Sequence, residues 1–282
     1  MDQEERGLEM TAADTVIRRP ERPAKEWTRA RVTGWCLMAF WALVFIGLGV
    51  FLARAYDPEI FDKYAPKYWS GLKVTLALVA LSMILGALLS FPIAAMRMSK
   101  NRILSGIAYA YVYFFRGTPL LAQTFLIYYG LGQFRPQLDS VGLWWFFKEA
   151  WYCGVFAFTL NTAAYQAEIL AGAIQSVGKG QWEGAAALGM PKFLTFFRII
   201  LPQALIVALR PYGNELIMML KGSAIVSIIT VYDLMGEMRR AYSRSFDFQT
   251  YIWAALIYLS MVETLRHIWD AMERRLTRHL IR

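Results

Sequence analysis

The sequence predicts an all-α, polytopic membrane protein, and three observations lead there. Hydrophobic residues make up 57% of the 282 residues and charged residues only 18%, whereas soluble domains run nearer half and a quarter. Mean hydropathy is +0.36. The apolar residues gather in long runs close to the roughly 20 residues that cross a bilayer core, with short basic clusters between them. This pattern argues against a soluble enzyme, a disordered chain and a coiled coil.

The runs are read in order. Residues 1–32 are a basic polar tail holding Arg18, Arg19, Arg22, Lys25, Arg29 and Arg31. Thr33–Ala53 is a first span rather than a signal peptide, because the polar lead is long and no small-residue cleavage site follows. Residues 54–67 are a mixed-charge linker that sets this span apart. Val74–Met96 is a second span with Pro92 near one end, and Ile103–Phe134 a third, broken at Arg116-Gly117-Thr118-Pro119. Ala150–Ile174 is a fourth. Ile199–Tyr232 is too long for one upright helix at about 1.5 Å per residue, so an interfacial segment followed by one span is expected. Phe248–Ile268 is the sixth, and residues 271–282 are a basic tail. The main body of the chain is bounded at 68–270.

Net charge is +9, from 30 Lys+Arg against 21 Asp+Glu. The basic residues sit between apolar runs rather than on one continuous face, which speaks for loops at a membrane surface and against nucleic acid. Seventeen Lys and Arg fall on the side of both termini, the 97–102 loop and the 175–198 loop, and eight on the other. The positive-inside rule places both termini in the cytoplasm. A tail resting on anionic lipid fits residues 1–32. The two cysteines lie inside apolar runs and both histidines near the C-terminus, too few ligands for a metal site. No phosphate-binding GxxxxGK[ST] loop and no HExxH occurs, and no nucleophile–base pair is evident, so a membrane enzyme fits poorly.

Polar groups inside apolar runs are costly and usually face a cavity or a partner. Asn161, Tyr165 and Glu168 are spaced four and three apart, on one helical face. That face is a candidate substrate path: an amide and a phenol to contact a zwitterionic head group, and Glu168 a cationic side chain. Thr118, Gln123 and Asn214 join it as path candidates. Arg116 and Glu215 are the ion-pair candidates, and a structural Arg116–Glu168 pair is the alternative to a substrate role for Glu168. Gly117-Thr118-Pro119 breaks its helix; such breaks are tolerated where backbone faces protein or a water-filled cavity, though a packing kink also explains it.

Gly180–Ala204 reads GQWEGAAALGMPKFLTFFRIILPQA. Its alanines favour a short helix over Gln181–Leu188, which Gly189 ends and Pro191 cannot continue. Small side chains on a loop invite close approach by another protein, or the helix lies on the membrane surface. Glu183, Ala185, Gly189, Ile199, Leu201 and Pro202 resemble the EAA loop of ABC importer permeases, departing from it at Gly184, where alanine is usual. Glycine there loosens the helix by about 1 kcal/mol. Phe115–Leu120 (FRGTPL), Leu160–Ile169 (LNTAAYQAEI) and Gly172–Val177 (GAIQSV) are similar to the polar amino-acid permeases, especially the M-type subunit of histidine/lysine/arginine/ornithine and opine importers. The resemblance covers about residues 68–275.

The resemblance implies a type I ABC importer permease fold of about six transmembrane helices in the bacterial plasma (inner) membrane. It makes 179–202 the coupling loop, with Glu183, Gly184, Ala185, Ala186 and Gly189 docking into a separate ATPase pair. Those subunits hold ATP and Mg, so this chain carries no cofactor and no catalytic residue. A substrate-binding protein and a second permease, homologous or identical, complete the assembly. A secondary transporter or channel that works without an ATPase remains the alternative, since intramembrane charges also serve ion coupling.

Overall fold

The computed structural model describes residues 28–54 and 56–278. Those residues fall into two compact units that divide after Tyr56. The first unit contributes one helix, α1 (Arg29–Arg54), with no buried residue. It starts four residues before the expected span. Most of the N-terminal tail and residues 279–282 lie outside the described residues.

The second unit holds ten helices among the described residues, and no strand. Helix α2 (Pro58–Arg97) is 40 residues long. It begins with proline at its first position, where no N–H is needed, and the Asp57 carboxylate accepts from the N–H groups of Glu59 and Ile60 at 2.9 and 3.3 Å. Most of the expected 54–67 linker is therefore helix. Asn101 caps α3 (Arg102–Gly117) in the same way, at 2.9 Å from the Ile103 N–H. The chain breaks at Thr118-Pro119 and resumes as α4 (Leu120–Gly130), whose last turn, Leu126–Gly130, is π-helical. Two short helices, α5 (Arg135–Ser140) and α6 (Trp144–Phe147), precede α7 (Ala150–Ser176).

After α8 (Lys179–Ala187) comes α9, one run of 38 residues from Lys192 to Ile229. The expected interfacial segment and the span after it are therefore joined in one continuous helical run. A π turn at Phe196–Ile200 precedes Pro202; its altered hydrogen-bond register accommodates the missing N–H, so the proline does not end the helix. Helix α10 (Leu234–Ser245) and α11 (Gln249–Leu276) finish the unit. The last turns of α11 occupy the first half of the expected C-terminal tail.

Three helices, α1, α2 and α9, are by length and composition apolar enough to cross a membrane. Helix α7 carries Asn161, Thr162, Gln166 and Glu168 and is buried along most of its length. It packs chiefly on α2 and α9, so neighbouring helices rather than lipid receive its polar groups. Among the described residues the core has four parts: a cluster at Ile127, Cys153 and Ala157, and three in succession along α2. At one end Ile93 and Ala94 of α2, Leu170 and Ile174 of α7 and Ala204 and Ala208 of α9 pack together. In the middle Leu78, Phe158, Leu220 and Ile229 meet. At the far end Tyr64 and Tyr68 pack on Leu234, Met238 and Ala254. Large apolar residues also point outward, among them Leu88, Ile103, Tyr113 and Ile268, each at least 60% exposed. That surface suits lipid or a partner rather than water.

Candidate functional site

The break between α3 and α4 leaves backbone carbonyls without helical partners, and three of the expected path residues satisfy them. The Asn161 amide donates to the Phe115 carbonyl and to Gln123 Oε1, both at 2.9 Å. Gln123 Nε2 lies 2.9 Å from the same carbonyl, 3.1 Å from the Thr118 carbonyl and 2.7 Å from the Thr118 hydroxyl. That hydroxyl donates to the Phe114 carbonyl at 2.8 Å. Thr118, Gln123 and Asn161 are thus a clamp on irregular backbone. The polar atoms of Thr118 and Gln123, two of the path candidates, are engaged with the break. Asn161 keeps one side on a cavity.

That cavity, of about 490 Å³, lies between α7 and α9 and brings together Asn161, Tyr165, Asn214 and Glu215. Asn214 is exposed in it, Tyr165 is half-buried, and Glu215 is 9% exposed. The Thr162 hydroxyl donates to Glu215 Oε1 at 2.9 Å. Gln166 Nε2 donates in turn to Thr162 Oγ1 at 3.1 Å and to the Met83 carbonyl at 3.2 Å. This relay fixes the carboxylate. Helix α2 comes close enough to press on it: a Cβ at Gly86 would stand 2.4 Å from Thr162 Cγ2. No cation lies within ion-pair distance of Glu215 among the described residues; Arg116 attracts it only from further off. Glu215, an ion-pair candidate from the sequence, thus makes no close ion pair among the described residues.

Glu168 has the surroundings expected of Glu215. Its Oε1 accepts from Arg97 Nε at 2.9 Å and its Oε2 is 3.6 Å from Arg116. The Arg116–Glu168 contact, named above as the structural alternative, is thus present, joined by Arg97. Arg97 was counted as a loop charge because it ends its span; its long side chain reaches back along apolar surface. These three residues border a second, smaller cavity of about 320 Å³, which shares Tyr165 with the first. Thr162 and Gln166 were also missed, although their own i, i+4 spacing on a polar-rich helix is a legible second stripe.

Helix α8 is the remaining feature. Gly189 has φ of +70°, a left-handed conformation that glycine adopts without strain. The Gly189 N–H bonds to the Ala186 carbonyl and the Met190 N–H to the Ala185 carbonyl, both at 3.0 Å, which is the double-bonded Schellman stop. Glu183, Gly184, Ala186, Ala187 and Leu188 are exposed, Leu188 at 80%. Ala185, expected on the docking face, is buried against its own chain at 3% exposure. Gln203 of α9 reaches Gln181 at 3.3 Å, tying the short helix to the long one. No group of three or more His, Cys, Asp or Glu suited to a metal occurs among the described residues.

Comparison with known proteins identifies the family. Residues 79–282 match the family of binding-protein-dependent transport system inner membrane components. The nopaline transport system permease protein of Agrobacterium fabrum (strain C58) is 46% identical over 204 residues, covering 72% of this chain and 85% of the relative. The arginine ABC transporter permease protein of Escherichia coli (strain K12) is 35% identical over 213 residues, covering 76% and 96%. Among solved structures, an amino acid ABC transporter with histidines is similar at 39% identity and a TM-score of 0.70, covering 78% of this chain and 99% of that one. An inward-facing MetNI methionine ABC transporter shares the fold at 17% identity, with a TM-score of 0.63 and coverage of 79% and 100%. With residues 79–282 matched to that family and such relatives beside it, this chain belongs to the binding-protein-dependent transport system inner membrane components.

Proposed function

We propose that this chain is the permease subunit of an ABC importer for polar amino acids or opines that carry a cationic group, set in the bacterial inner membrane with both termini in the cytoplasm. The carrying observation is α8: a short helix with a rigid glycine stop, whose Glu183, Gly184 and Ala186 face outward while Ala185 anchors it. A helix so presented suits a groove on a separate ATPase. In this reading ATP and Mg are held by an ATPase pair, and a substrate-binding protein delivers the cargo from outside. Closure of the ATPases moves α8 and, through it, the helices around the cavity. A second permease faces this one, and the resemblance of the chain to M-type subunits supports a homologous rather than identical copy. The names of the relatives, which include nopaline, octopine and arginine systems, support the substrate class. Glu215 supports it too, since a buried carboxylate without a cation is suited to receive one.

The test is ATP-driven uptake by the assembled importer carrying Glu183→Arg with Gly189→Asp. Transport is expected to be lost while membrane insertion is kept, because the first change puts opposite charge on the docking face and the second strains the stop. Undiminished uptake in that variant would instead favour a transporter that needs no ATPase.

A further inference from the structure

We infer that the smaller cavity is a carboxylate seat, in which Arg97 and Arg116 receive a carboxylate of the transported molecule. The inference rests on the importer reading and narrows its substrate class to molecules with a cationic end, met by Glu215, and a carboxylate end, met here. Charge is the first argument. Two guanidinium groups and one carboxylate border this cavity, and its other polar walls are the neutral phenols of Tyr109, Tyr113 and Tyr165. Its net charge is positive.

Geometry is the second. Glu168 uses one oxygen on Arg97 at 2.9 Å, but its other oxygen stands 3.6 Å from Arg116, beyond hydrogen-bond range. Among the described residues Arg116 donates no hydrogen bond, so its N–H donors are uncommitted, and its side chain, which lines the cavity, is 44% exposed. The guanidinium is nonetheless held in place, 5.2 Å over the ring of Tyr165, as Arg97 is 5.1 Å over Tyr109. A planar donor fork fixed on an aromatic platform suits a carboxylate, which it can bind with two parallel bonds. Tyr165 lines both cavities, which places the seat beside the hollow that holds Glu215.

Calorimetric titration of the assembled importer in phosphatidylcholine nanodiscs tests this with three probes: arginine, agmatine (arginine without its carboxylate) and octopine (arginine with a second carboxylate). Arginine is expected to bind at least about tenfold more tightly than agmatine, the worth of one charge-assisted hydrogen bond. Arg116→Gln should reduce arginine to the level of agmatine and leave agmatine unchanged. Glu168→Gln, which releases both guanidinium groups, should tighten arginine and octopine. Equal weakening of agmatine and arginine by Arg116→Gln, or no gain from Glu168→Gln, makes the three residues a structural latch and overturns the inference. So does a wild-type complex that binds agmatine as tightly as arginine or binds none of the three. If the Arg116→Gln complex does not assemble, the Glu168→Gln titration decides alone. Arg116-dependent competition by phosphatidylglycerol added to the discs would assign the seat to a lipid phosphate, again overturning it. The importer reading survives each of these failures, because the α8 variant tests it separately.

Discussion

Glu168 and Glu215 are carboxylates of the same kind on neighbouring long helices, but their surroundings are opposite. Glu168 sits between two arginines, its side chain 30% exposed. Glu215 is more deeply buried and has a hydroxyl for company, with a cavity in front of it. A carboxylate already neutralised by its own chain has little attraction left for a cationic ligand. One that is desolvated and unpaired gains most from a cation that arrives. The difference teaches that the role of an intramembrane charge is decided by what the adjacent helices bring to it.

The largest effect should come from Glu215→Gln. Uptake of a cationic substrate is expected to fall about tenfold to hundredfold, the range of one hydrogen bond to a charged group, in proteoliposomes assayed beside Glu168→Gln. Equal losses at the two positions would break the comparison. Next is stability. Glu168→Leu leaves Arg97 and Arg116 facing each other without their carboxylate; full burial would make that cost about 3–5 kcal/mol, and partial exposure reduces it to about 1–2 kcal/mol. Thermal unfolding of the purified complex should show a lower midpoint for Glu168→Leu and an unchanged or raised one for Glu215→Gln, which loses no ion pair. The smallest effect concerns a third carboxylate. Asp233, between α9 and α10, is fully buried; it accepts from the Gly236 N–H at 2.8 Å and from the Tyr258 hydroxyl at 3.3 Å. Burial pushes it from 3.8 up to about 6. An acid raised in the folded state contributes stability that is fully present below 3.8 and is lost as pH rises through about 6. The wild-type midpoint should therefore drop by a few degrees across that window, and Asp233→Asn should remove the slope.

Much of this was legible in the sequence. The helix break at Gly117-Thr118-Pro119, the short helix ended by Gly189 and the polar face of α7 all follow from proline, glycine and i, i+4 spacing, which act locally. The pairing of charges was not legible, because it depends on which helix ends meet. Arg97 is 71 residues from Glu168 in sequence, and nothing in either neighbourhood announces the other. The same holds for Asn161, whose amide is spent on a carbonyl 46 residues away. The continuity of α9 escaped for a different reason: two prolines suggest interruption, and a single π turn absorbs the first of them.

That continuity has a mechanical consequence. Lys192–Gly222 is a push rod about 47 Å long at 1.5 Å per residue, linked at one end to α8 and carrying Glu215 partway along. Glu168 rides on a different strut. In the proposed importer, a stroke applied at Gly189 would shift one wall of the larger cavity against the other, and the hollow would change shape.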